Sequence, residues 1–201
     1  MLNSELVVSH YNEDLSWLDS ISSRFDKITI YHKGTDQSFD NVLPNIGRES
    51  HTYLWHIVNA NEYAANTVFT QGNPSDHISD VNLLCKFTES PFEWIGDYCY
   101  MSNHYGEPWC SHWKFPCAEV ASLGDIQLPN WWSFCPYANF KLSNECCIKF
   151  KPLAQTLLEN LEWPTNTILQ ETEYKYRTPW AIERLWEFLC LKSYNYKNDN
   201  I

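Results

Sequence analysis

A chain of 201 residues, 44% hydrophobic and 16% aromatic, is long enough to bury a full core and too apolar to remain disordered. Its net charge of −11 excludes a sequence-independent grip on nucleic acid, which needs clustered Lys and Arg. No stretch is apolar for long enough to span a bilayer.

Leu6 to Ser9 reads as a short buried strand. Asn12 is placed to cap a helix, with Glu13 and Asp14 in its first turn and Leu15, Leu18, Ile21 and Phe25 at helical spacing. Lys27 to Tyr31 is a second, β-branched strand, so the chain opens β-α-β with a parallel, right-handed crossover expected. Residues 33–44 form a polar loop ending at Leu43-Pro44. A helix over Arg48–Asn59 carries Tyr53, Leu54, Ile57 and Val58 on its apolar side. Asn66–Gln71 is another strand, stopped by Gly72-Asn73-Pro74, and Ser75 caps a short helix that turns Ile78, Val81 and Cys85 inward. This alternation marks an α/β fold with a mostly parallel, Rossmann-like sheet flanked by helices, a single domain over 1–201.

Residues 88–137 mix Trp94, Tyr98, Tyr100, Tyr105, Trp109, Trp113, Trp131 and Trp132 with Pro, Gly, Asn and Ser. No period holds there, and the segment reads as irregular structure on the ligand side of the sheet. Asn139–Ser143 alternates like a late strand, and a helix follows near Leu153–Leu161. Thr178-Pro179 starts a last helix, whose stripe is Ile182, Leu185, Trp186 and Leu189, with Glu183, Arg184 and Glu187 off it. From Tyr194 the tail is polar and expected to fray. The opening Met1–Glu5 lacks a basic flank and an apolar run, which reads as a cytoplasmic chain with its eight cysteines reduced. Cys146 and Cys147 are adjacent, Cys110 and Cys117 flank an aromatic stretch, and no Cys-x-x-Cys pair occurs, so the thiols read as buried hydrophobes rather than zinc ligands.

Polar constellations stand at the ends of the apolar stretches, where an open α/β sheet gathers its ligand site. His10-Tyr11-Asn12 follows the first strand: Tyr11 offers a ring to a base, although Asn12 can equally be a plain cap. In Asn45-Ile46-Gly47-Arg48-Glu49, Gly47 allows close backbone approach. Arg48 sits at the end of a helix that repels cations, which suits a bound phosphate, or else a surface ion pair. In Gln71-Gly72-Asn73-Pro74-Ser75-Asp76-His77, Asp76 and His77 are metal-ligand types, with Asp80 one turn beyond Asp76. Solvation of both acids is the plainer reading. Glu183, at the edge of the last helix's stripe, can be a base, an acceptor contact or an arginine's partner.

The blocks Val7–Leu18, Leu43–Leu54 and Phe69–His77, followed by Ala138–Ser143 and Glu183–Trp186, resemble a family catalogued as a domain of unknown function, whose layout is similar to GT-A glycosyltransferases, including a capsid-glycosylating domain of large DNA viruses. The resemblance implies a viral or microbial enzyme that moves a hexosyl, deoxyhexosyl or pentosyl group from a nucleoside-diphosphate sugar to a glycan or glycoprotein. UDP-sugar is expected ahead of GDP-sugar, and the implied cofactor is Mn2+ or Mg2+. In such enzymes an Asp-x-Asp ends the donor strand; here that stretch reads Gln71-Gly72-Asn73. Donor contacts are then expected from His10, Tyr11, Asn12, Lys33, Asn45, Arg48, Gln71, Gly72 and Asn73. Asp76 and His77 are expected on the metal, and Asp76 and Glu183 in catalysis. The alternatives are a non-catalytic glycan-binding module on the same fold and a metal-dependent hydrolase using Asp76, His77 and His51.

Overall fold

Apolar, β-branched segments build the parallel part of a central sheet. In the computed structural model, which describes residues 2–104, 114–165 and 177–195, β1 (Ser4–His10), β2 (Lys27–His32), β3 (Asn41–Val42) and β4 (Asn66–Gln71) run parallel. Further strands are β5 (Phe92–Trp94), β6 (Tyr100–Ser102), β7 (Trp132–Phe134) and β8 (Phe140–Ser143). The main sheet has the order β3-β2-β1-β4-β8-β5, with β8 antiparallel to both β4 and β5, while β6 and β7 form a separate antiparallel ribbon. The chain is therefore α/β with a mixed, mostly parallel sheet. Register brings His10 opposite His32, and Ser9 opposite Gln71, so three strands end level with one another.

The helices are α1 (Arg48–Asn59), α2 (Cys117–Leu123), α3 (Asn144–Asn160) and α4 (Thr178–Asn195). Side chains alternate across a strand. Val7, Phe69, Phe140 and Leu142 therefore join Tyr53, Leu54, Ile57, Phe150, Leu157, Leu185 and Trp186 in the main core beneath α1, α3 and α4. The opposite face has a smaller core, in which Leu6, Val8 and Val68 meet Ile21, Phe25, Ile78 and Leu84. Among the described residues, loops and 3₁₀ turns cover it.

Those turns correct the expected first helix. Between β1 and β2 the chain makes 3₁₀ turns at Ser16–Ser20 and Ser22–Arg24. The Asp14 carboxylate takes the Ser16 N–H (2.9 Å) and hydroxyl (2.7 Å), and Glu13 reaches back to the Tyr11 N–H (2.7 Å). Short polar side chains that bond nearby backbone compete with helix hydrogen bonds. The segment after Ser75 behaves the same way, with 3₁₀ turns at Pro74–Asp76 and Val81–Cys85, the second capped by Asp80.

The aromatic middle is more regular than expected, since β5, β6, β7 and α2 all lie within it. Helix α3 begins well before Leu153, at a Ser143 cap that accepts the Cys146 N–H. Pro152 sits inside it and frees the carbonyl of Ile148, a residue on the exposed side of the helix. Glu183 and Arg184 are buried beside the α4 stripe rather than lying off it. Tyr105, Trp109, Cys110, Trp113, Tyr176 and the end of the tail lie outside the described residues. Among the described residues, no helix is long and apolar enough to cross a membrane, and the described cysteines are free.

Candidate functional site

Two adjoining cavities open at the carboxyl ends of the parallel strands. The first, about 330 Å³, is lined by Ser9, His10, Tyr11, Glu13, Lys33, Asn45, Arg48, Glu49 and Gln71. The second, about 460 Å³, adds His77, Tyr100, Phe134, Pro136, Trp180, Glu183 and Arg184. Arg48, Glu49 and Gln71 line both and form the shared wall.

One side of the first cavity rests on two histidines. His32 Nε2 lies 3.1 Å from the Asp36 N–H, so it is an acceptor and the ring proton must be on Nδ1. His32 Nδ1–H then donates to His10 Nδ1 at 2.9 Å, which leaves His10 Nε2–H to donate to the Glu13 carbonyl at 3.1 Å. One backbone N–H thus fixes both tautomers. Phe39 stacks on His32 with ring centroids 4.4 Å apart and packs against His10. Burial, then the neighbouring His10, hold the His32 pKa below its ordinary value.

Lys33 follows β2 directly and is only 5% exposed. Its Nζ donates to the carbonyls of Ile46 (2.6 Å) and Arg48. An ammonium has three N–H donors; two are used, and the third remains for the cavity that Lys33 lines. Burial lowers its pKa to about 7, with Glu49 opposing that shift and Arg48 adding to it. The carbonyls it binds belong to a tight bend at the start of α1. Gly47 has φ +62°, and a Cβ there would press on Trp163 and stand 2.7 Å from His51 Cβ, so only glycine fits. Arg48 also has positive φ, at 50°. A non-glycine residue in that region stores strain, and such strain gathers at ligand sites. Its guanidinium lies 5.0 Å from the Trp180 ring centre and 3.8 Å from Glu49.

The second cavity is aromatic with a buried ion pair. Glu183 Oε2 is 3.5 Å from Arg184 Nη1, which also donates to the Trp180 carbonyl at 2.7 Å. The Arg184 guanidinium stacks over Phe115 (3.9 Å) and Phe134 (4.9 Å). Behind these groups the fully buried Tyr53 hydroxyl has no hydrogen-bond partner among the described residues. Burial first, then the Glu49 and Glu183 charges, push its pKa well up.

Of the residues expected at the site, His10, Tyr11, Lys33, Asn45, Arg48, Gln71, His77 and Glu183 line the two cavities. Four others do not. Asn12 is exposed, with its Oδ1 against Gly34. Gly72 packs against Glu13 and its carbonyl accepts from Trp17 Nε1 at 2.8 Å. The Asn73 carbonyl accepts from Gln71 Nε2 at 2.9 Å, and its side-chain amide donates to Asp76 Oδ1 at 2.8 Å. Asp76, held by Asn73, lines neither cavity. His51, the hydrolase reading's third residue, packs against Trp55 and Trp163 and lines neither cavity, and burial followed by Lys33 lowers its pKa to about 4.

Among the described residues, no three His, Cys, Asp or Glu side chains converge to hold a metal ion. Positive charge reaches the two cavities from Lys33, Arg48 and Arg184. Sequence reasoning missed His32, Ser9, Glu13 and Glu49. The first two follow only from register, and Glu13 and Glu49 look like ordinary first-turn acids. No protein-family model, curated protein or solved structure matches this chain.

Proposed function

We propose that the chain is a nucleotide-sugar-dependent glycosyltransferase of GT-A type, with the donor in the first cavity and a glycan or glycoprotein acceptor in the second. One observation carries this reading: two cavities of different chemistry share a wall at the strand ends. The first has two cations, Lys33 and Arg48, and an exposed Tyr11 ring, which suits a base and a diphosphate. The second has Tyr100, Trp180 and the Glu183 carboxylate, which suits a sugar ring and its hydroxyl. The transferred group would cross at Arg48, Glu49 and Gln71.

In this reading Tyr11 stacks on the base, and His10 and Asn45 frame the nucleoside. Lys33 and Arg48 offset the charge that builds on the leaving diphosphate. Glu183 takes or orients the acceptor hydroxyl proton. The block resemblance supports the same reading, because its first, second, third and last blocks each supply a lining residue. A glycan-binding module on the same fold is the second reading, favoured by Gln71-Gly72-Asn73 standing where an Asp-x-Asp is expected.

The test is thermal unfolding with UDP and GDP, each with and without manganese, followed by an acceptor screen. A nucleotide at a hundredfold its Kd adds roughly 2.7 kcal/mol. UDP is expected to raise the midpoint in the native chain and not in Lys33→Met or Arg48→Ala. A manganese-dependent increment that Asp76→Ala removes would bring a metal to the site. No response to either nucleotide supports the binding module. Donor breakdown without acceptor-dependent product supports a hydrolase.

A further inference from the structure

The β6–β7 ribbon carries two cysteines that none of the chemistry above uses. Tyr100 pairs with Phe134 in the antiparallel register, so the next rung outward sets Cys99 directly opposite Cys135. Their Sγ atoms are 3.8 Å apart, and both thiols are free. Cys99 is exposed. Cys135 is 2% exposed, and its thiol donates to the Tyr98 carbonyl at 3.1 Å. Gly96 makes the room, since a Cβ there would come within 3.0 Å of Cys135 Sγ. Directly opposed strand positions bring Cβ atoms to about the separation a disulfide spans.

We infer that Cys99 and Cys135 form a redox-sensitive dithiol that bridges reversibly and staples the ribbon at the mouth of the second cavity. The neighbours of both cysteines, Tyr100 on one strand and Phe134 and Pro136 on the other, line that cavity. The oxidant is a hydroperoxide, by chemical class. Cys99, the exposed sulfur, attacks the peroxide oxygen; the O–O bond breaks, and water or an alcohol leaves, making a sulfenic acid. Cys135 sulfur then attacks Cys99 sulfur, the S–O bond breaks, and the departing hydroxide takes the Cys135 proton as water. Two electrons pass from the thiol pair to the peroxide, and a dithiol reductant returns them. Burial, then the adjacent Cys99, push the Cys135 thiol up to about 12, which keeps it protonated and places the first oxidation on Cys99.

The pairing does not depend on the proposed activity. The experiment treats the full chain with a small excess of hydrogen peroxide, then follows intact mass and disulfide mapping. The expected result is a loss of about 2 Da, with a Cys99–Cys135 peptide, reversed by dithiothreitol. Hydrogen exchange in Tyr100–Ser102 and Trp132–Phe134 should slow several-fold on oxidation. Cys99→Ser and Cys135→Ser should each abolish both effects, and Cys99→Ser, at an exposed position, keeps the fold intact. Persistence of the dithiol, oxidation of Cys99 to acids without a bridge, or a bridge mapping to Cys110 would each overturn the pairing.

Discussion

Replacing Lys33 by methionine separates a buried charge from its surroundings in a measurable way. The Lys33 pKa falls from 10.5 to about 7 on folding, with burial as the first cause. The unfolded chain therefore holds a proton that the folded chain sheds between those values, and stability must rise with pH across that window. The penalty is fully present below pH 7 and is relieved as the pH climbs towards 10.5. Between pH 7 and 8.5 the two titration curves differ by about 1.6 kcal/mol, at about 1.36 kcal/mol per unit. Cys135 and Cys147, whose pKa values rise on folding, act in the opposite direction above their unfolded value near 9.0, which sets the upper limit of the useful range. Urea midpoints at pH 7 and 8.5 are the assay. In Lys33→Met the Ile46 and Arg48 carbonyls lose their donor, at about 1–3 kcal/mol for each that is buried, set against relief of the buried charge. Its pH dependence, however, should lack the 1.6 kcal/mol rise. UDP affinity in the native chain should also weaken over the same range, because the neutral amine must regain a proton to face a phosphate. Equal slopes in the two proteins would refute the placement of a perturbed amine at this cavity.

Nitrogen NMR of the imidazoles should show His32 protonated on Nδ1 and His10 on Nε2 at pH 7.5; the reverse tautomer in either ring contradicts the relay from Asp36. Because burial lowers the His32 pKa below 6.5, the stability that neutral His32 contributes is present above that value and lost as the pH falls, which acid titration of the midpoint reads directly. Gly72→Ala sets a Cβ 2.7 Å from Glu13 Cδ. It should release the Tyr11 N–H, cost about 1 kcal/mol in stability and weaken UDP binding, as calorimetry would show. Glu183→Gln should cut acceptor-dependent transfer at least about tenfold, a barrier increase of about 1.4 kcal/mol, while leaving the UDP-induced thermal shift in place. A parallel loss of UDP binding would assign Glu183 to the fold instead.

The parallel half of the sheet was readable because Leu6–Ser9, Lys27–Tyr31 and Asn66–Gln71 are long enough to show their composition and are closed by clear stops. Strands β5, β6 and β7 have three residues each, fewer than two full alternations, and aromatic neighbours hide what period remains. Tyr11 and Lys33, next to strand ends, and Arg48, at the start of α1, were legible because chain order alone carries them to the crevice. His32 and Ser9 became visible only through register. Asp76 and His77 show the converse: adjacency in sequence gave them one role, but Asn73 holds the acid while the histidine faces the second cavity. The first helix failed for a local reason, since Asp14 and its serines favour turns over a continuous ladder.

The sheet is clothed unequally. Among the described residues, α1, α2, α3 and α4 all contribute to the core on one side, while the other carries the short turns at Ser16–Arg24 and Pro74–Cys85. Breathing is cheapest where few apolar side chains must be wetted. That thin flank also bears Tyr11 and Glu13, so a bulky visitor could be admitted by loosening a small patch while the thick layer stays shut. Amides in those turns should exchange orders of magnitude faster than those of α1, and occupancy of the first cavity should narrow the gap from the fast side alone.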